Sequence, residues 1–96
     1  MSVYFLVEIL RVTDQEQYNR YIDAVCPIVE RYGGEYVLRS SNVTLASGTD
    51  KPERIILIRF PGREALADCF NSPEYCEIAP LREQSTESRA FIIQDE

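Results

Sequence analysis

Val3-Tyr4-Phe5-Leu6-Val7-Glu8-Ile9-Leu10 is apolar at every position but Glu8. The run is short and rich in β-branched and aromatic residues, so it reads as a strand buried on both faces. Thr13-Asp14-Gln15-Glu16 follows and has the form of a capping box, with the Thr13 hydroxyl placed for the Glu16 amide and the Glu16 carboxylate for the Thr13 amide. A helix is therefore expected over residues 14–32. Tyr18, Ile22, Val25, Val29 and Tyr32 recur on one face of it, and Gly33-Gly34 supplies a left-handed stop. Pro27 removes the bond its amide would make to the Asp23 carbonyl, which predicts a kink near Cys26.

Downstream, residues 35–40 alternate as a strand, with 43–46 expected to continue it past Ser41-Asn42. Gly48-Thr49-Asp50-Lys51-Pro52 is a turn cluster leading to a second nearly continuous apolar strand, Arg54-Ile55-Ile56-Leu57-Ile58-Arg59-Phe60, paired to the preceding one as a hairpin. Pro61-Gly62 ends that strand, and a short helix over 63–70 puts Leu66 and Phe70 on one side. Ser72-Pro73-Glu74 gives the N-cap, first-turn proline and first-turn acid of a helix reaching about residue 84, bent at Pro80. The last strand is expected over 89–94.

This order is strand, helix, strand, strand, helix, strand: an α+β fold with a four-stranded antiparallel sheet, the whole chain 1–96 forming one domain. Strand-helix-strand crossovers are right-handed in about 98 % of cases, which lands the helices on one face when the strands lie as fourth, first, third, second. Yet the first, third and fourth strands are apolar on both sides. A bare second face of that composition exceeds the few hundred Å² of apolar patch that monomers tolerate. A second copy packed sheet to sheet would bury on the order of 800 Å² per partner. A homodimer is the economical expectation, and an oily monomer or a different partner is the alternative.

Composition excludes several functions. Apolar residues make up 45 % and charged residues 27 % of the chain, which is ordinary globular usage, and no run approaches the ~18 apolar residues of a membrane span. The start lacks the basic segment and cleavage site of a secretory leader, so the expected location is the cytoplasm. Sixteen acids against ten bases give a net charge of −6, which disfavours nucleic acid and anionic membranes as partners. Cys26, Cys69 and Cys76 lie in helical segments without CxxC spacing, so neither a disulfide framework nor a metal site is expected, and each reads as a small buried hydrophobe. No cofactor is implied. Histidine is absent, which removes the commonest general base near neutral pH.

Tyr32-Gly33-Gly34 with Val37-Leu38-Arg39, then residues 52–61, then Ser72-Pro73-Glu74-Tyr75 and Pro80-Leu81-Arg82 resemble the domain of unknown function 1330 family, within the dimeric α-β barrel superfamily of ferredoxin-like folds. The resemblance covers nearly the whole chain. It departs at Arg59, where the family pattern has an acid before Phe-Pro, so no charge-based role is carried to that position. The resemblance implies the ferredoxin-like βαββαβ fold and a dimer, but no activity. Superfamily members include cofactor-free oxygenases, haem enzymes, isomerases and ligand sensors, a spread that is an analogy of fold only.

Several residues are candidates for chemistry. Glu8, the one charge in the first strand, shares a face with Tyr4 and Leu6, and Arg59 is expected to point with Ile55 and Leu57 to the same dimer interior. There they would form a lone base or an anion clamp, or else a charge pair at the dimer seam. Arg39, Arg54 and Arg82 lie near element ends and suit a carboxylate or phosphate, although such arginines more often pair with surface acids. Arg89 belongs to the same set. Of six tyrosines, Tyr21 and Tyr75 are the first choices for an acid or an orienting hydroxyl, against the commoner role of packing aromatics.

Three functions stay open: a homodimer binding or acting on a small organic molecule in a sheet-helix or lumen pocket, a cofactor-free oxygenase or isomerase using Glu8 or a tyrosine as base, and a structural dimer. A closed cavity of at least ~300 Å³ near Glu8 or Arg39 would favour the first two.

Overall fold

The computed structural model describes residues 2–95. Its elements are β1 (Val3–Val12), α1 (Gln15–Arg31), β2 (Glu35–Ser40), β3 (Arg54–Phe60), α2 (Arg63–Phe70), α3 (Pro73–Ser85) and β4 (Thr86–Gln94). The strands form one sheet in the order β2-β3-β1-β4, every neighbour antiparallel. This is the order expected from the right-handed crossovers.

Period-two alternation decides what lies under the helices. Val3, Val7 and Ile9 of β1 and Ile58 and Phe60 of β3 are buried there with Tyr18, Val25 and Val29 of α1. Phe60 is fully enclosed and meets Phe70 edge-on at 5.8 Å, while Phe70 stacks on Phe5 at 4.4 Å. Burying a side chain of that size contributes about 1.5–3 kcal/mol. The described residues form a slab of 34 × 32 × 16 Å. Among the described residues no helix is long and apolar enough to cross a membrane.

Four local expectations change. The helix cap is Asp14, whose carboxylate accepts from the Gln17 amide at 3.1 Å, and not Thr13. The Thr13 amide instead donates to the Ser85 carbonyl at 2.7 Å, so the end of α3 holds the chain outside the helix one residue longer. Residues 43–46 form no strand; β2 and β3 are joined by an irregular loop over 41–53. β4 begins at Thr86, three residues early, because Thr86 both closes α3, its hydroxyl donating to the Arg82 carbonyl at 2.7 Å, and pairs with Val12. The third cysteine, Cys76, is exposed, whereas Cys69 is buried and Cys26 half-buried.

A register shift in β2 matters for the site. Tyr36 lies opposite Ile58, Leu38 opposite Leu57, and Arg39 opposite Ile56. The extra residue at Val37 is a bulge, so Tyr36 and Arg39, three apart, both face the helices and Leu38 faces away.

Candidate functional site

A cavity lies between the sheet and α1. Its floor is apolar, made by Phe5, Val7, Ile9, Ile56 and Ile58, and its roof by Tyr18, Tyr21, Ile22, Val25 and Val29, with Phe70 closing one side. Tyr36, Cys26 and three arginines, Arg39, Arg54 and Arg82, complete the lining. The cavity volume is about 40 Å³, room for roughly three waters at ~10–15 Å³ each and well below the size set out above as the mark of a ligand site. It therefore admits a small group without rearrangement.

The arginines come from three elements. Arg54 opens β3 on its helix-facing side, opposite Ile9; Arg82 comes from the last turn of α3; Arg39 reaches the cavity through the β2 bulge. Arg39 is exposed, stacks over the Tyr36 ring at 4.5 Å and donates to the Cys26 sulfur at 3.3 Å. Arg54 Nη1 donates to the Ser41 hydroxyl at 3.3 Å. The Nε atoms of Arg54 and Arg82 are buried without a hydrogen-bond partner, which is costly for a charged donor.

Of the candidates read from the sequence, Tyr21, Arg39, Arg54 and Arg82 line this cavity, and Tyr75 stands behind it with its hydroxyl 3.0 Å from that of Tyr21. Tyr4, Glu8 and Arg59 lie on the opposite face of the sheet. Glu8 and Arg59 do not meet: Glu8 is level with Ile55 and Arg59 with Tyr4, four residues apart along the strands, or ~13 Å at the usual rise. Glu8 is bound by Arg89 on β4, and Arg59 by Glu35 at 2.7 Å. Neither charge is alone. Tyr18, Tyr36 and Cys26 were not singled out in advance, and only the spacing of Tyr18 with Ile22 and Val25 hinted at it.

Burial pushes the phenols of Tyr18, Tyr21 and Tyr36 above their ordinary range, with Tyr75 adding to the effect at Tyr21, Cys26 adding at Tyr36, and the charges of Arg54 and Arg82 opposing it at Tyr18. These hydroxyls are donors at neutral pH. The sign for stability follows: below the ordinary tyrosine value of about 10 both folded and unfolded chains hold these protons, and above it only the unfolded chain releases them. The contribution of these phenols to stability is thus constant up to about pH 10 and falls above it, by up to about 1.4 kcal/mol per pH unit for each buried phenol, less for half-buried Tyr36. Tyrosinate absorbance and circular dichroism titrated together should show these phenols ionising only as the fold is lost. Complete ionisation near pH 10 with the fold intact would contradict the burial.

Burial also raises the Cys69 thiol to about 11. Among the described residues no group of three or more Cys, Asp and Glu gathers as a metal site would.

Solved structures share this architecture. A protein of unknown function from Rhodopseudomonas palustris matches with a TM-score of 0.83 at 18 % identity, covering 99 % of this chain and 82 % of that one. SnoaB, a cofactor-independent oxygenase from Streptomyces nogalater, matches at 0.70 and 10 %, covering 99 % and 93 %. A dimeric ferredoxin-like protein of unknown function from Thermobifida fusca matches at 0.67 and 14 %, covering 97 % and 90 %. At these identities the likeness is one of fold, and the fold is ferredoxin-like α+β. No protein with a curated description matches this chain. The model of the family described as domain of unknown function 1330 matches residues 2–95, and the chain belongs to that family.

Proposed function

We propose that this protein is a homodimer that binds a small organic molecule in the cavity between the sheet and α1. The observation that carries the reading is the convergence of arginine and tyrosine donors on an apolar space between sheet and helix; that space is smaller than such a ligand, so binding requires its lining side chains to move apart. Such convergence of few polar groups on an apolar pocket is the usual build of a ligand site. Pairing through the open sheet face is supported by the exposed Leu38, Phe91 and Ile93, and by the dimeric state of the Thermobifida relative. The cytoplasm is the proposed location.

Binding is favoured over proton-transfer chemistry because the candidate bases are engaged. Glu8 is held by Arg89, and the cavity phenols are kept protonated. The cavity offers donors rather than a base.

Toluene, phenol and benzamide titrated against methyl-labelled protein should shift the Ile56, Ile58 and Val25 methyl resonances. Ile56→Phe, which fills the floor, should weaken that response at least about tenfold, equivalent to about 1.4 kcal/mol, and leave the dimer intact. Shifts in none of the three titrations, or shifts only on the open sheet face, would end the reading.

A further inference from the structure

We propose that the ligand is a small carboxylate with an apolar body, its carboxylate taken by Arg54 and Arg82 and its entry overlooked by Arg39. This rests on the cavity-binding reading above and names the class of molecule the same site takes.

Four arginines of this acidic chain sit in ion pairs. Arg31 pairs with Glu74, Arg59 with Glu35, Arg89 with Glu8 and Arg11 with Glu87, whereas Arg20 and Arg63 have no acidic partner among the described residues but are exposed to water. With sixteen acids available, a carboxylate neighbour is easy to supply. The three cavity arginines have none within ion-pair distance among the described residues. Their contacts are with neutral groups, Ser41 and the Tyr18 hydroxyl for Arg54 and Cys26 and the Tyr36 ring for Arg39, and for Arg82 no side-chain hydrogen bond is found among those residues. The Nε donors of Arg54 and Arg82 are sealed from water as well as unpartnered.

Removing a guanidinium donor from water without a partner is expensive, and an external anion relieves that cost. Both guanidinium groups line the same cavity as Tyr18 and Tyr21, so two positive charges face one apolar space beside phenols that burial keeps protonated and able to donate. A planar carboxylate matches the guanidinium fork and accepts several such bonds. The remaining wall, of Val7, Ile9, Val25, Ile56 and Ile58, has nothing to offer a second charge. It suits hydrocarbon.

The test compares benzoate with its neutral isostere benzamide, and with inorganic phosphate, by methyl-shift titration of the unmodified protein and of Arg54→Met and Arg82→Met. Benzoate should bind at least about tenfold more tightly than benzamide, and each methionine variant should reduce that preference to about threefold or less by weakening benzoate more than benzamide. Arg54→Lys, which keeps charge but not the fork, should fall between. Equal binding of benzoate and benzamide, or a preference that survives both methionine variants, overturns the carboxylate assignment and leaves the cavity reading standing. Phosphate displacing benzoate at equal concentration also overturns it. If neither benzoate nor benzamide moves the cavity methyls, the carboxylate assignment falls, and the cavity reading then stands or falls on toluene and phenol.

Discussion

Gly34→Ala is expected to destabilise the protein by about 3 kcal/mol, at the upper end of what overpacking usually costs. A Cβ there would sit 2.9 Å from the Val29 carbonyl oxygen and 3.0 Å from Phe60 Cε1, and would run directly into Val29 Cγ1. Val29 and Phe60 are fully buried, and the Val29 carbonyl accepts the Gly34 amide at 2.9 Å. The obstacle therefore includes backbone that closes α1 and cannot step aside. In a domain of this size ~1 kcal/mol corresponds to ~4–8 °C, so the melting temperature should fall by on the order of 15 °C. Gly62→Ala is the control: a Cβ there meets nothing within 4 Å, and its backbone is extended. It should stay within about 1 kcal/mol of the parent. Equal melting temperatures for the two variants would mean that the junction of α1 and β2 is looser than described.

Leu57→Asp is expected to raise the dimer dissociation constant by at least about a hundredfold, equivalent to about 2.7 kcal/mol. On the open face the registers align Phe91, Leu6, Leu57 and Leu38 in one apolar row across all four strands. The row beyond it on one side runs Ile93, Tyr4, Arg59, Glu35, and on the other Arg89, Glu8, Ile55, Ser40. Charge is thus confined to the flanks, already paired as Arg59 with Glu35 and Arg89 with Glu8, while the centre is apolar. That is the anatomy of an interface core with a polar rim. Aspartate at the centre would be buried without a cation in the dimer, at a cost of several kcal/mol. In a free subunit it would be half-exposed, as Leu57 is, so the fold should survive. Sedimentation over a concentration series, with circular dichroism as the check on folding, reads the outcome. A parent protein that sediments as a single subunit, or a variant that dimerises as well as the parent, would remove this face as the contact.

The fold was legible because its signals are local. The apolar runs in β1 and β3, the Gly33 stop with its positive φ of 85° and the Ser72 cap on Tyr75 each depend on neighbours within a few residues. Where a distant group competed, the local reading slipped. Thr13 lost the cap to Asp14 because Ser85, remote in sequence, holds its amide, and β4 started early because Val12 offers Thr86 a ladder partner. The site was legible only as residue types. Arg39, Arg54, Arg82 and Tyr21 stood out as chemistry without an address, while Glu8 and Arg59 share the face expected of them but are kept apart by the antiparallel register and paired with other partners.

By itself the amino-acid sequence determined the order of elements, the single helical layer and the presence of too much apolar surface for one sheet face to hide, because period and composition act within each segment. Tertiary structure alone decided which charges meet. One extra residue at Val37 turns Arg39 toward the helices, and the pairing of β1 with β4 gives Glu8 to Arg89. Both are consequences of register, and register is set by the alignment of strands that lie far apart in the chain.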